Sequence, residues 1–418
     1  MKTLLPKFAL LAVVVLAAAG TAGASSTAAQ PHWQKLPASY NAEGGFYRSI
    51  GYASGRVWFA VGVNSFTIWS ARVQSGRLTS FVSTPEPENV AVDSGVGALG
   101  ESSLLFCCNQ RSDGTKASME APLLSNGKVG TPRPIPGDPE LVAAQKVVPT
   151  AAFNGSTAST AQSEVTIGNR PVWVINGYYC TSTGPARCKD NDKGGVKTFA
   201  VCCNASGEAV DLTPLLADRT KQGASLPRLM LDSHRRLWLG WAEAPLGPPN
   251  DPSALHLTQL DPSTLAVRAS KTLRTVVFPS EPIDHTIQMA CSDSCRLLWT
   301  NRTGVFAWGG DGPPTRVLGQ GKFGSTGLGG ARYRGAQLEV ASFGDKTDQG
   351  PDYGTRVTVA RGDARGRNSH VVSFADVPQG KYSGNSVEEV LAFTPAGAVA
   401  VAGYMGTPSY LLATVVPG

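Results

Sequence analysis

One phrase recurs along the chain: a short polar turn, then a strand-like run carrying a large apolar residue, often Trp. It reads Ser54-Gly55-Arg56-Val57-Trp58-Phe59 and returns as Gly168-Asn169-Arg170-Pro171-Val172-Trp173-Val174. It returns again as Asp232-Ser233-His234-Arg235-Arg236-Leu237-Trp238-Leu239 and as Asp293-Ser294-Cys295-Arg296-Leu297-Leu298-Trp299. Weaker copies are Glu101-Ser102-Ser103-Leu104-Leu105-Phe106 and Ala396-Gly397-Ala398-Val399-Ala400-Val401. An interval of roughly 50 to 60 residues suits repeat architectures in which each unit is one small sheet.

Each unit divides into four short runs, β-branched and aromatic, bounded by Gly, Pro, Asn and Ser. The first unit gives Tyr47–Tyr52, Arg56–Val61, Thr67–Val73 and Leu78–Val82. The fourth gives Arg228–Asp232, Leu237–Trp241, Ala254–Leu260 and Ala266–Thr272. About seven units start near Tyr47, Asn89, Ser163, Leu226, Thr286, Gly327 and Val387, the second being the least marked. The last holds three good strands, and His32–Leu36 is available as its fourth. The expectation is an all-β protein, a β-propeller of about seven four-stranded blades, with the ring closed by pairing of the N- and C-terminal strands. One short helix is allowed at Leu212–Thr220.

Charged residues are only 16% of the 418, with 47 Gly and 29 Pro. An average domain has roughly 25% charge. Recurrent apolar segments argue against disorder, so the Gly and Pro are assigned to turns between strands. The chain starts with Lys2 and Lys7, an apolar run Phe8–Ala19 and a small-residue segment Ala22-Gly23-Ala24. This is the pattern of a cleaved signal peptide. The run is shorter than the roughly 20 residues that span a bilayer. We expect residues 1–24 to be the leader and 25–418 a single propeller domain, secreted to the extracellular space or cell envelope, with no membrane span after cleavage. The composition suggests a bacterial source. The formal charge of +6 falls to about +4 without Lys2 and Lys7. With no basic cluster interleaved with aromatics, nucleic acid is not an expected partner.

The strand-then-turn phrase resembles the Asp-x-x-Gly-x-Leu-Trp repeats of bacterial secreted β-propellers, among them the streptogramin-lyase-like and two-component-regulator-type propeller repeats. Asp232 and Asp293 match the Asp, while Arg235 or Cys295 falls where the Gly stands. The likeness spans about eight residues per unit and implies architecture, not chemistry.

Eight cysteines in an exported chain read as disulfides. Cys180 with Cys188, and Cys291 with Cys295, can each close a local loop. Cys107-Cys108 and Cys202-Cys203 either bridge within each pair, which needs a tight local turn, or link the two Cys-Cys-Asn segments to each other. Zinc is disfavoured by the spacing and by the lack of a nearby His.

In antiparallel blades, the turns between strands one and two and between three and four share one face. The remaining connections share the other. The first set is short and the second long, so the second face is the expected binding face. Candidate ligand-binding residues there are Tyr178, Tyr179, Trp241, Glu243 and Asp345. Asp284-His285 places an acid beside a His at the channel mouth and is the catalytic candidate. Asp190 and Asp192, in Asp190-Asn191-Asp192-Lys193-Gly194-Gly195, form a partial Ca²⁺ loop that lacks its closing acid. Calcium is the only cofactor suggested. The expected function is a monomeric binding or scaffold propeller for an extracellular peptide, glycan or envelope protein. The alternative is an exported lyase or hydrolase around Asp284/His285.

Overall fold

The computed structural model describes residues 31–39, 50–62, 66–85, 96–99, 102–110, 116–134, 160–180, 195–217, 222–245, 254–274, 287–301, 303–319, 324–345, 356–377, 389–404 and 410–418. The chain divides into Met1–Gln30 and Pro31–Gly418, and every described residue belongs to the second unit.

β1 (Gln34–Ser39) comes first in the chain. Sheet 1 follows as β2 (Ile50–Ala53), β3 (Arg56–Gly62), β4 (Phe66–Gln74) and β5 (Arg77–Pro85). Sheet 2 is β6 (Val96–Leu99), β7 (Ser103–Gln110), β8 (Lys116–Pro122) and β9 (Arg133–Pro134). Sheet 3 is β10 (Thr160–Ile167), β11 (Arg170–Cys180), β12 (Gly195–Cys202) and β13 (Val210–Asp211). Sheet 4 is β14 (Gln222–Leu231), β15 (Leu237–Pro245), β16 (Ala254–Leu260) and β17 (Val267–Arg274). Sheet 5 is β18 (Ile287–Cys291), β19 (Cys295–Asn301), β20 (Gly304–Trp308) and β21 (Thr315–Gly319). Sheet 6 is β22 (Gly324–Arg334), β23 (Gln337–Asp345), β24 (Arg356–Gly362) and β25 (His370–Asp376). Sheet 7 is β26 (Glu389–Thr394), β27 (Gly397–Tyr404) and β28 (Tyr410–Pro417), completed by β1.

All pairings are antiparallel, and β1 lies beside β28 with Gln34 opposite Ala413 and Lys35 opposite Leu412. The N-terminal strand thus supplies the missing fourth strand, as expected, but it runs from Gln34 to Ser39 instead of starting at His32. The helix allowed at Leu212–Thr220 is a single 3₁₀ turn, Thr213–Leu215, opened by Pro214.

The core lies between sheets. A strand sends alternate side chains to opposite faces, and here both faces are apolar. Val57 and Phe59 pack toward sheet 7, while Trp58 between them packs toward sheet 2. Leu104 packs on sheet 1 and Leu105 on sheet 3. The same alternation fills the seam of sheets 3 and 4 with Phe199, Val201, Leu239 and Trp241. The next seam holds Ala242, Leu255, Met289 and Trp299. Leu298 and Val340 fill the seam of sheets 5 and 6, and Ala341, Phe343 and Ala400 that of 6 and 7. The seam of sheets 7 and 1 joins Leu36, Val399, Val401 and Val415 to Val57, Phe59 and Leu78. Every sheet is therefore packed on both sides, and the sheets form a closed seven-bladed ring.

Close approach is built in where a side chain would obstruct a seam. At Gly240, an added Cβ would stand 2.7 Å from Leu297 Cδ1. At Gly127 (φ +91°) it would stand 2.7 Å from both Arg56 and Ser70, at the point where Ser70 Oγ donates to the Gly127 carbonyl (2.6 Å).

The two faces separate as antiparallel pairing demands. The turns between first and second and between third and fourth strands form what we call the turn face. The connections between second and third strands and between sheets start and end at the opposite side, which we call the connection face. Leu36 is 2% exposed within the closing seam. Replacing it with Ala should cost about 2–4 kcal/mol, whereas Leu124→Ala, at an exposed turn, should stay within about 0.5 kcal/mol. Urea unfolding of the two variants checks the difference.

Candidate functional site

Several turns of the turn face are made by acidic and amide side chains folded onto their own backbone. Asp232 Oδ1 accepts from the backbone N–H groups of His234 (3.0 Å) and Arg236 (2.9 Å). Its Oδ2 accepts from Arg236 Nε (2.6 Å) and Trp238 Nε1 (2.9 Å). Burial alone would raise this carboxyl, but the bonds from Trp238 and Arg236 outweigh it and hold it below its usual value. Asp363 repeats the pattern with Arg365 N–H (2.7 Å), Arg367 N–H (2.9 Å) and Arg367 Nε (3.0 Å). Asn204 does the backbone half, accepting from Ser206 (2.9 Å) and Glu208 (2.8 Å). Asp261 holds Ser263, Thr264 and Arg268. Its carboxyl is pushed far down, first by the Ser263 hydroxyl. These are Asx turns, in which a short polar side chain substitutes for the backbone acceptor.

The turns also latch blade to blade. Arg170 reaches the Pro262 carbonyl (2.7 Å) and Arg296 the Ala364 carbonyl (2.8 Å). Arg236 donates to Asp293 O, Arg332 to Thr394 O and Arg334 to Gly418 O. Arg332 and Arg361 also hold the buried Glu339 (2.7 and 2.5 Å). These arginines are consumed by structure.

Toward the connection face, the register of sheet 4 assembles a polar row in the seam with sheet 3. Trp241 lies opposite His256, and His256 opposite Thr272. Glu243, two residues beyond Trp241, shares the same side of β15. The Trp241 and His256 rings stack at 3.8 Å with 8° between planes. His256 Nε2 is 3.3 Å from Glu243 Oε2, and Nδ1 is 3.0 Å from the Thr272 hydroxyl. Glu243 Oε1 accepts the Ala217 N–H at 2.6 Å, pinning the chain as it leaves sheet 3.

Burial holds the His256 pKa below its ordinary value, with Glu243 pulling it up and Arg274 pushing it down. The imidazole is therefore neutral at neutral pH. A carboxylate only accepts, so the proton sits on Nε2, and Nδ1 accepts from Thr272. The order hydroxyl, imidazole, carboxylate could move a proton, but His256 is 6% exposed and covered by Trp241. What the row does in the fold is brace the seam beneath the connection between sheets 3 and 4. Phe199 closes it from sheet 3, 4.9 Å from the Trp241 ring.

The expected site residues distribute as follows. Trp241 and Glu243 are brought together, both buried, with His256 between them. Tyr178 and Tyr179 lie near the connection-face end of β11, and Asp345 ends β23. Asp284, His285, Asp190 and Asp192 lie outside the described residues. Among the described residues, no three His, Cys, Asp or Glu side chains converge to hold a metal ion.

Cys291 and Cys295 are bridged across the turn from β18 to β19, as expected. Cys202 and Cys203 are bridged to each other. That corrects the alternative of a link between the two Cys-Cys-Asn segments, because Cys202 spends its sulfur on its neighbour inside the seam of sheets 2 and 3. Cys107 and Cys108 lie on β7 and Cys180 ends β11, and their side chains, with Cys188, fall outside the described residues.

His256 and Thr272 were missed by sequence reasoning. The signal was available in Leu255-His256-Leu257-Thr258-Gln259-Leu260. There Leu255 and Leu257 read as one buried face and His256 shares the other with Leu260.

The architecture is that of a seven-bladed β-propeller. No protein-family profile matches the chain, so the likeness to streptogramin-lyase-like repeats stays at the level of the short phrase. No curated protein is similar to it in sequence. Solved structures it is similar to include the α-L-arabinanase of Penicillium chrysogenum complexed with arabinobiose, at 12% identity over 80% of this chain and 99% of that one, with a TM-score of 0.41. Another is the fucose-specific lectin from Aleuria aurantia, at 14% identity over 84% of this chain and 100% of that one, with a TM-score of 0.36. A third is a mutant Trypanosoma rangeli sialidase displaying trans-sialidase activity, at 9% identity over 93% of this chain and 60% of that one, with a TM-score of 0.42. Likeness at this level says nothing about chemistry.

Two outcomes test this reading. Asp232→Ala strands the Arg236 and Trp238 donors and should cost about 3 kcal/mol, measured by denaturant unfolding. A buried His with a lowered pKa binds its proton more readily in the unfolded chain. Stability should therefore decline as pH falls below about 6.5, the unfolded value. Melting temperature followed from pH 7.5 to 5.5 should drop less steeply in His256→Gln than in the unaltered protein.

Proposed function

We propose that this protein is exported, loses residues 1–24, and works as a monomeric propeller that binds an extracellular glycan or peptide on its connection face. The observation that carries this reading is the unequal division of the ring. Turn-face acids and many of its arginines are spent on turns and latches, and its connections are tight. At the opposite face, consecutive strands are separated in sequence by residues 135–159, 181–194, 275–286, 346–355 and 378–388. Long segments held at fixed spacing by a rigid ring are where binding residues concentrate. Tyr178, Tyr179 and Asp345 sit where β11 and β23 lead into two of them.

Binding to immobilised envelope glycans and peptides tests the proposal. Replacing residues 181–194 with a short Gly/Ser turn should weaken binding at least tenfold with little change in melting temperature, while Arg235→Ala on the turn face should leave binding unchanged. Equal effects from both changes would sink it.

A catalytic reading rests on Asp284-His285, which precede the inner strand β18. It requires His285→Ala to abolish turnover of a glycan or peptide that the protein still binds. A calcium role for Asp190 and Asp192 requires EDTA to lower the melting temperature.

A further inference from the structure

The turn face carries a second set of cations that the latches do not use. Arg72 and Arg77 flank the third turn of sheet 1, and Lys128 lies in that of sheet 2. Arg235 stands in the first turn of sheet 4, Arg316 at the turn end of β21, and Arg365 in the last turn of sheet 6. All six are exposed, and none has an acidic partner among the described residues. The acids of the face are differently placed. Asp232 and Glu339 are buried, and Asp261 and Asp363 are tied into their turns. The exposed acids are engaged: Asp293 accepts from Ser233 Oγ (2.6 Å), Asp311 pairs with Lys271 (2.6 Å), and Glu208 accepts from Asn204 (3.3 Å). The face thus presents six cations without acidic partners over five blades, against the exposed charges of Asp293 and Glu208, whose bonding partners are neutral.

Apolar groups share it. The exposed large hydrophobic residues among those described are Tyr52, Leu124, Val267, Val371 and Phe374. The first four lie at turn ends of their strands or in the turns themselves: Tyr52 near the end of β2, Leu124 after β8, and Val267 and Val371 at the starts of β17 and β25. These four side chains share the turn face with the six cations.

We propose that the turn face docks on an anionic lipid surface, with dispersed Arg and Lys side chains meeting headgroup phosphates while Tyr52, Leu124, Val267 and Val371 enter the interface. Dispersed cations on tight turns suit a broad planar anion, because each charge near such a surface adds independently to the attraction. A linear polyanion would require a continuous basic track, and Glu208, Asp293 and Asp311 interrupt one. Tyr and aliphatic side chains beside cations are the groups that settle at headgroup depth. The proposal is independent of what the connection face binds.

Pro31–Gly418 contains all seven sheets and every seam, so it is the unit to test, free of the apolar leader. Co-sedimentation with phosphatidylcholine vesicles is compared with vesicles containing about one-third phosphatidylglycerol. Binding should appear on the anionic vesicles only and fade as salt rises toward about 0.5 M. The combined Arg72→Glu, Arg77→Glu, Arg235→Glu and Arg365→Glu variant should lose at least a hundredfold, at about fivefold or more per charge, with its melting temperature retained. Tyr52→Ser with Leu124→Ser should lose several-fold with charge unchanged. Equal binding to neutral vesicles, no binding to anionic ones, or full binding by the charge-reversed variant overturns the proposal. So does capture by a soluble phosphate polymer with the vesicles left empty.

Discussion

A sheet whose two faces are both apolar cannot end at water on either side. That constraint governs this molecule. Val57 and Trp58, adjacent in β3, point to different neighbours, and so do Leu104 and Leu105, Trp241 and Ala242, Leu297 and Leu298, and Val340 and Ala341. Each blade therefore needs a partner before and after it, and only a closed circuit supplies both. The burial of Leu36 against Val57 and Leu78 completes the circuit with the first strand in sequence.

Polar chemistry is fitted around that requirement. At the turn face, Asp232, Asp261 and Asp363 spend their carboxylates on backbone N–H groups, and Arg236, held by Asp232, fastens its blade to the next. At the seam of sheets 3 and 4, His256 is kept neutral by burial, so that Trp241 can cover it and Glu243 can hold the chain at Ala217. Both arrangements meet the demand that buried polar groups be partnered. They differ in place: the staples close turns at the ends of strands, whereas the row lies inside a seam.

The architecture was legible because strand chemistry and turn chemistry alternate in sequence with the period of one blade. Counting units, assigning the short and long faces, and recruiting the N-terminal segment all follow from that alternation. The Trp residues were a less faithful guide. Trp58 is the third residue of β3 and packs toward the next blade, while Trp173 is the fourth of β11 and packs toward the preceding one. A one-residue offset after the turn sends the ring to the opposite seam. A turn acid or amide recurs at Asp232, between first and second strands, and at Asp363 and Asn204, between third and fourth. It was obscured because it changes turn and because many of its partners are backbone groups, which no sequence displays. Glu243 and Trp241 were legible as unusual residues, but their pairing with His256 depends on strand register across a connection, residues 246–253, whose length does not fix it.

Because the seventh sheet joins the first strand in sequence to the last three, the strand made first is paired last. β1 waits, with Leu36 uncovered, until Tyr410–Pro417 exists. The last sheet therefore joins positions separated by almost the entire sequence, and loop closure of that span sets a late, cooperative step in assembly. Sheets 1 to 6 are drawn from contiguous stretches of chain, whereas the clasp belongs only to the finished molecule. A chain stopped anywhere before β28 would keep an unclosed hoop with two raw apolar walls.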